Sequence, residues 1–171
     1  MRRFYWFIPI SVGFLFFINS FLSFFTLNII QGDRGRNLLA LPISPGDTWQ
    51  IHYIHSLYRV PQEEIYRLSS KGEMILEEMR FGSYAAALYY NENPVQGFIQ
   101  EGRWWKIEEI HHPLSHFHFK VGYTTDCRLL AQGKSIPFDS LAPPGTSLTF
   151  RVKKNGYGRV LISWLFGREK S

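Results

Sequence analysis

One cysteine, Cys127, stands among 171 residues, so no internal disulfide can close and no zinc site of the thiolate kind can form. Beside Leu129 and Leu130 it reads as a buried apolar residue. Charge is scarce as well: Asp, Glu, Lys and Arg make up 19% of the chain, and none falls within residues 4–30. Basic runs are missing. The formal charge is +5, of which Arg2 and Arg3 supply two. The adjacent pair Lys153 and Lys154 precedes an Asn155-Gly156 turn signal, which reads as a solvated loop and excludes a nucleic-acid surface. No G-x-S-x-G nucleophile elbow and no internal repeat is present. With 45% apolar and 17% aromatic residues, the chain belongs to the folded class and not to the disordered one.

The uncharged stretch is the first positive signal. Its 27 residues would reach ~40 Å as a helix, more than the ~30 Å hydrocarbon layer. Arg2 and Arg3 precede it and Asp33 is the first charge after it, so the positive-inside preference puts the N-terminus in the cytoplasm. Ser20, Ser23 and Thr26 do not make an A-x-A-like cleavage pattern, which favours an uncleaved signal anchor. The expectation is a single-pass protein of the cytoplasmic membrane: an anchor over residues 1–30, a linker over 31–37, and one domain over 38–171 on the outer face.

Beyond the linker the apolar pattern takes a period of two. Leu148, Phe150 and Val152 alternate with Ser147, Thr149 and Arg151, and Phe117, Phe119 and Val121 alternate with His116, His118 and Lys120, as in strands with one wet face. Further strands are expected over residues 49–54, 64–69, 74–81, 103–110, 127–131 and 159–164, separated by turn signals at Ser70-Lys71-Gly72, Gln132-Gly133-Lys134 and Pro143-Pro144-Gly145. About eight short strands predict an all-β sandwich or partly open barrel behind one N-terminal transmembrane helix. The apolar tail over 157–166 is too short to span, and reads as a last core strand or an interfacial segment.

The stretch Ile51-His52-Tyr53-Ile54-His55-Ser56-Leu57-Tyr58-Arg59-Val60-Pro61-Gln62-Glu63-Glu64-Ile65-Tyr66 resembles the signature of the bacterial domain-of-unknown-function 1850 family. There a strand ending in Tyr-x-His-Ser continues through a basic residue and Pro to a Glu followed by an aromatic. His55, Ser56, Arg59, Pro61, Glu64 and Tyr66 fill those positions, and the likeness extends from about residue 41 to residue 152. Where the family tends to have Gly-Ala-Gly-Leu-Pro, this chain has Ala85-Ala86-Ala87-Leu88-Tyr89. The resemblance implies a small exported or anchored protein that accompanies a tripartite ATP-independent periplasmic transporter of the TAXI kind. It implies an accessory role in uptake of a small carboxylate through contact with the permease or solute receptor, supplies no known catalytic activity, and marks His55, Ser56, Arg59 and Glu64 as a ligand or partner surface.

The residues themselves temper the chemistry. His55, Ser56 and Glu64 include the side-chain types of a hydrolytic triad, but neighbours on a strand face opposite ways, so an enzyme is not expected. A structural role is the stronger reading, with His55 or Ser56 bonding backbone in the corner at Val60-Pro61 and Glu64 paired with a cation such as Arg59. Within the run from His111 to His118, His116 and His118 share a strand face and could share a metal, with His112 as a weak third candidate. A solvated face of clustered histidines is the plainer reading, and no cofactor is expected. Trp104 and Trp105 divide between core and rim on a strand, and nothing in the sequence makes Arg59, Arg80 and Arg103 converge on a carboxylate. The alternative to a transporter accessory is a stand-alone small-molecule or metal-binding module.

Overall fold

Alternating residues build strands over most of the chain, and the computed structural model describes residues 23–32, 35–90, 97–123 and 126–156. In chain order these form β1 (Ser23–Gln31), β2 (Arg36–Ile43), β3 (Thr48–Ile54), β4 (Pro61–Leu68), β5 (Met74–Phe81), a helix α1 (Tyr84–Tyr90), β6 (Ile99–Glu101), β7 (Trp104–Ile107), β8 (His112–Leu114), β9 (His116–Lys120), β10 (Arg128–Ala131), β11 (Lys134–Pro137), a 3-10 turn (Phe138–Ser140) and β12 (Ser147–Gly156). Two antiparallel sheets result. The smaller has the order β2-β1-β12-β9, the larger β11-β10-β3-β4-β5-β7-β6. The far edge of β5 is shared, with residues 79–81 pairing β7 and residues 74–76 pairing β8.

The sheets face each other as a sandwich. Leu27 and Ile29 of β1 and Leu148 and Phe150 of β12 are fully buried in one cluster with Trp49, Ile51, Tyr66, Leu68 and Leu129 of the larger sheet. Each such aliphatic or phenyl side chain contributes about 1.5–3 kcal/mol by leaving water. The larger sheet is the wider layer, and its inner face at Phe81 and Ile107 is covered by α1 through the fully buried Ala86 and Ala87. Ser83 caps that helix, its Oγ accepting the Ala86 N–H at 3.2 Å.

The sandwich agrees with the sequence, but several boundaries are corrected. Residues 23–31 are a strand, not the end of a membrane helix. Thr26 and Asn28 alternate with Leu27 and Ile29, a period of two hidden inside an uncharged run, and the backbone pairs β12 on one side and β2 on the other. Residues 31–37 are accordingly no linker, because Gln31 ends β1 and Arg36 begins β2. The remaining anchor, residues 1–22, lies outside the described residues, as does the expected strand over 159–164. Among the described residues no helix is long and apolar enough to cross a membrane. Lys153-Lys154 and Asn155-Gly156 sit inside β12 rather than in a turn. Asn155 is held there as its Nδ2 donates to Thr26 Oγ1 at 2.8 Å. The helix α1 was not anticipated.

Candidate functional site

At the end of β3 the chain turns through a tight corner before Pro61 opens β4. The His55 N–H donates to Val60 O at 2.8 Å and the Arg59 N–H to His55 O at 2.9 Å. The imidazole completes the corner: its Nδ1 accepts the N–H groups of Leu57 and Tyr58, both at 3.2 Å. Nδ1 is therefore the unprotonated nitrogen of a neutral ring, and burial lowers the pKa of His55 in the same direction. Arg59 takes the left-handed conformation at φ 55° and, with Ser56 and Leu57, is exposed. The corner packs closely on the start of the helix segment, since a Cβ on Gly82 would lie 2.7 Å from Pro61 Cδ.

Glu64 does not pair with Arg59. It points between the sheets, where Tyr53 Oη donates to Oε1 at 2.8 Å and Tyr66 Oη donates to Oε2 at 2.6 Å. The register explains the convergence: Ile51 is opposite Glu64 and Tyr53 opposite Gln62, so Tyr53, Glu64 and Tyr66 all project from the inner face. Edge strand β9 holds the rings in place, with Phe117 stacked on Tyr66 at 4.7 Å and Phe119 edge-on to Tyr53 at 5.3 Å. Burial pushes the Glu64 carboxyl above its ordinary range, against the two hydroxyl donors that pull it down. Burial and then the Glu64 charge push both tyrosines far above theirs, so they remain neutral donors. Beside them Gln62 is fully buried with neither amide atom hydrogen-bonded.

This polar floor lies at the bottom of a cleft of about 610 Å³. Phe117 and Phe119 of β9 form one wall, and His55 with Tyr90, the last residue of α1, lines the other. The His55 ring also touches Tyr58, Tyr89 and Tyr90 at centroid distances of 5.2, 5.8 and 5.6 Å. Of the four motif residues, His55, Ser56 and Glu64 line the cleft, whereas Arg59 is at the corner's tip. The sequence reading missed Tyr53, Tyr90 and the β9 phenylalanines as parts of one place. A signal existed for the first, because Tyr53 and His55 are two apart, as are Glu64 and Tyr66.

The other clusters stay apart. On the outer face of the larger sheet His52, Glu63, Arg80 and Lys106 occupy successive register positions from β3 to β7. Arg80 is bonded to Glu78 and lies 3.5 Å from Glu63, and Lys106 reaches Glu101 and Glu108. Arg103 stands over the Trp104 ring at 4.9 Å. Arg59, Arg80 and Arg103 thus do not form a common carboxylate site. His116 and His118 are 5.3 Å apart by ring centroid, but their Nδ1 atoms face Ser115 Oγ and Thr149 Oγ1 at 3.0 Å, and His112 belongs to the opposite sheet. Among the described residues no three His, Cys, Asp or Glu side chains are placed to share a metal.

The protein-family model described as Domain of unknown function (DUF1850) matches residues 49–138, just over half of the chain. The match runs from β3 to the 3-10 turn and contains the corner, the Glu64 floor, α1 and β9. No curated protein and no solved structure matches the chain.

Proposed function

We take as premise that this chain belongs to the DUF1850 family, and we propose that it is a membrane-anchored, outward-facing β-sandwich that holds a small molecule, without catalysis, for a solute transporter. The observation that carries this reading is the cleft between β9 and α1, an aromatic-walled space with a buried carboxyl at its floor. Concave apolar space with a few convergent polar groups is the usual form of a small-molecule site. Non-catalytic holding is supported by the way the polar groups are committed. His55 Nδ1 is occupied by backbone amides, and the Glu64 oxygens are bonded to tyrosines rather than to His55, so Ser56, His55 and Glu64 do not make a relay.

The anchor is supported by residues 4–22, which carry no charge and would still reach ~28 Å as a helix, close to the hydrocarbon thickness. Arg2 and Arg3 in front of them favour the outward orientation of the domain. The transporter role rests on the likeness to proteins that accompany TAXI-type transporters.

Native mass spectrometry of the full-length chain, extracted from its own host in mild detergent, tests both parts. The expected result is a small-molecule adduct on the chain, together with a permease or exported receptor that co-purifies. A ligand-free chain, with no metabolite of a host extract raising its melting temperature, would falsify the binding reading. An adduct without any partner, even after crosslinking, would replace the transporter role with a stand-alone binding module.

A further inference from the structure

Resting on the reading of the cleft as a ligand site, we infer that its occupant carries a positively charged amine, protonated or quaternary, seated over Glu64 between Tyr53, Tyr90, Phe117 and Phe119. The inference comes from counting what the floor can offer. Tyr53 and Tyr66 each have one hydroxyl proton, and both protons are given to Glu64. What remains on the carboxyl is acceptor capacity, the further lone pairs of its oxygens, while the Tyr53 hydroxyl also meets that of Tyr90. At the floor a carboxylate ligand would meet the like charge of Glu64, although Ser56, Lys120 and Tyr123 also line the cleft. An ammonium group meets opposite charge at the floor.

Two further observations agree. Among the described residues no lysine, arginine or histidine pairs with Glu64, although the carboxylates of Glu63, Glu77 and Glu78 on the outer face all have such partners. The carboxyl of the floor is thus without a cationic side-chain partner among the described residues. The walls have the matching chemistry, since aromatic faces attract cations most strongly where water is excluded. Tyr90 at the end of α1, Phe119 on β9 and Tyr53 on β3 all line the space. A group that is both cationic and apolar at its surface, such as a trimethylammonium, satisfies floor and walls together.

The test compares three probes on the purified full-length chain in detergent by calorimetry and thermal melting: choline, its neutral isostere 3,3-dimethylbutan-1-ol, and succinate. Choline is expected to bind and raise the melting temperature, and the isostere and succinate are not. Glu64→Gln should weaken choline at least about tenfold, and so should Tyr90→Ala, which alters a partly exposed wall and not the core. Succinate binding without choline binding overturns the amine inference and leaves the cleft a ligand site. Equal binding of choline and its isostere overturns it as well, by showing that charge is not read. If none of the three binds, the amine inference fails, while the binding reading is decided separately by the adduct on the host-derived protein. Because the probe comparison uses the unaltered chain, it decides the matter even if Glu64→Gln fails to fold.

Discussion

Glu64 is the residue on which the interior depends most finely. Its two hydroxyl donors are Tyr53 of β3 and Tyr66 of its own strand β4, so Tyr66→Phe would leave Oε2 with one partner fewer while the ring stack on Phe117 is retained. The expected loss is about 1–3 kcal/mol in chemical denaturation. Burial raises the folded pKa of Glu64 above its ordinary 4.5. Between those two values the folded state holds the extra proton, so stability falls as pH rises through that window. His55 acts in the opposite sense. Its folded pKa lies below 6.5, the unfolded chain takes the proton first, and stability falls as pH drops below 6.5 toward the folded value. In denaturation series from pH 4 to 8, Glu64→Gln should therefore gain on the unaltered protein as pH rises above about 4.5. A difference between the two that does not change with pH would show that Glu64 does not titrate as a buried carboxyl. The sequence made His55 legible as a corner residue, because a histidine before Val60-Pro61 has backbone groups to satisfy. Glu64 was legible as paired but not as paired to two tyrosines, since only Tyr66 shares its strand and the cross-strand register that brings Tyr53 to it is not written in one strand.

Among the elements, β5 could be read to its boundaries because Met74 and Phe81 delimit a clear run between turns, whereas β1 and α1 could not. The period of two in Thr26-Leu27-Asn28-Ile29 was masked by the absence of charge, which made residues 4–30 look continuous. The helix α1 is seven residues long, too short for a helical period to outweigh the strand pattern around it. Its buried face is only Ala86 and Ala87. Both misread elements yield tests. Removing residues 1–22 should leave a cooperatively folding domain, but removing 1–30 should not, because β1 is paired on both sides and carries the fully buried Leu27 and Ile29. Circular dichroism melts of the two truncations separate the strand from an anchor reading of these residues. Ala86→Leu would force extra volume between α1 and the Phe81 region at a cost of about 1–3 kcal/mol. It would also move Tyr90, so calorimetry should show weaker ligand binding beyond what the loss of folded protein explains.

At the scale of the whole molecule, strand directions fix where the cleft sits relative to the proposed anchor. Ser23, the first residue of β1, lies opposite Gly156, and Phe25 lies opposite Ile43, so this end of the sandwich also holds the turn that leads into β3. From Thr48 the seven residues of β3 run ~20 Å to His55 and the cleft. The other cleft wall agrees, since Lys120 of β9 is opposite Ser147, the residue of β12 farthest from Gly156. The cleft is thus at the end remote from Ser23 and Gly156. If residues 4–22 span the membrane, the cleft faces away from it, and the transporter partner proposed for it would there be an exported receptor rather than a permease. A photo-crosslinking amino acid at Leu57, which is 65% exposed at the corner, should then capture the soluble receptor in intact cells. The same probe at Lys154, exposed on the opposite end of β12, should capture a membrane subunit. Capture of the permease from Leu57, with nothing from Lys154, would mean that the domain lies inverted on its partner and that the cleft faces the membrane.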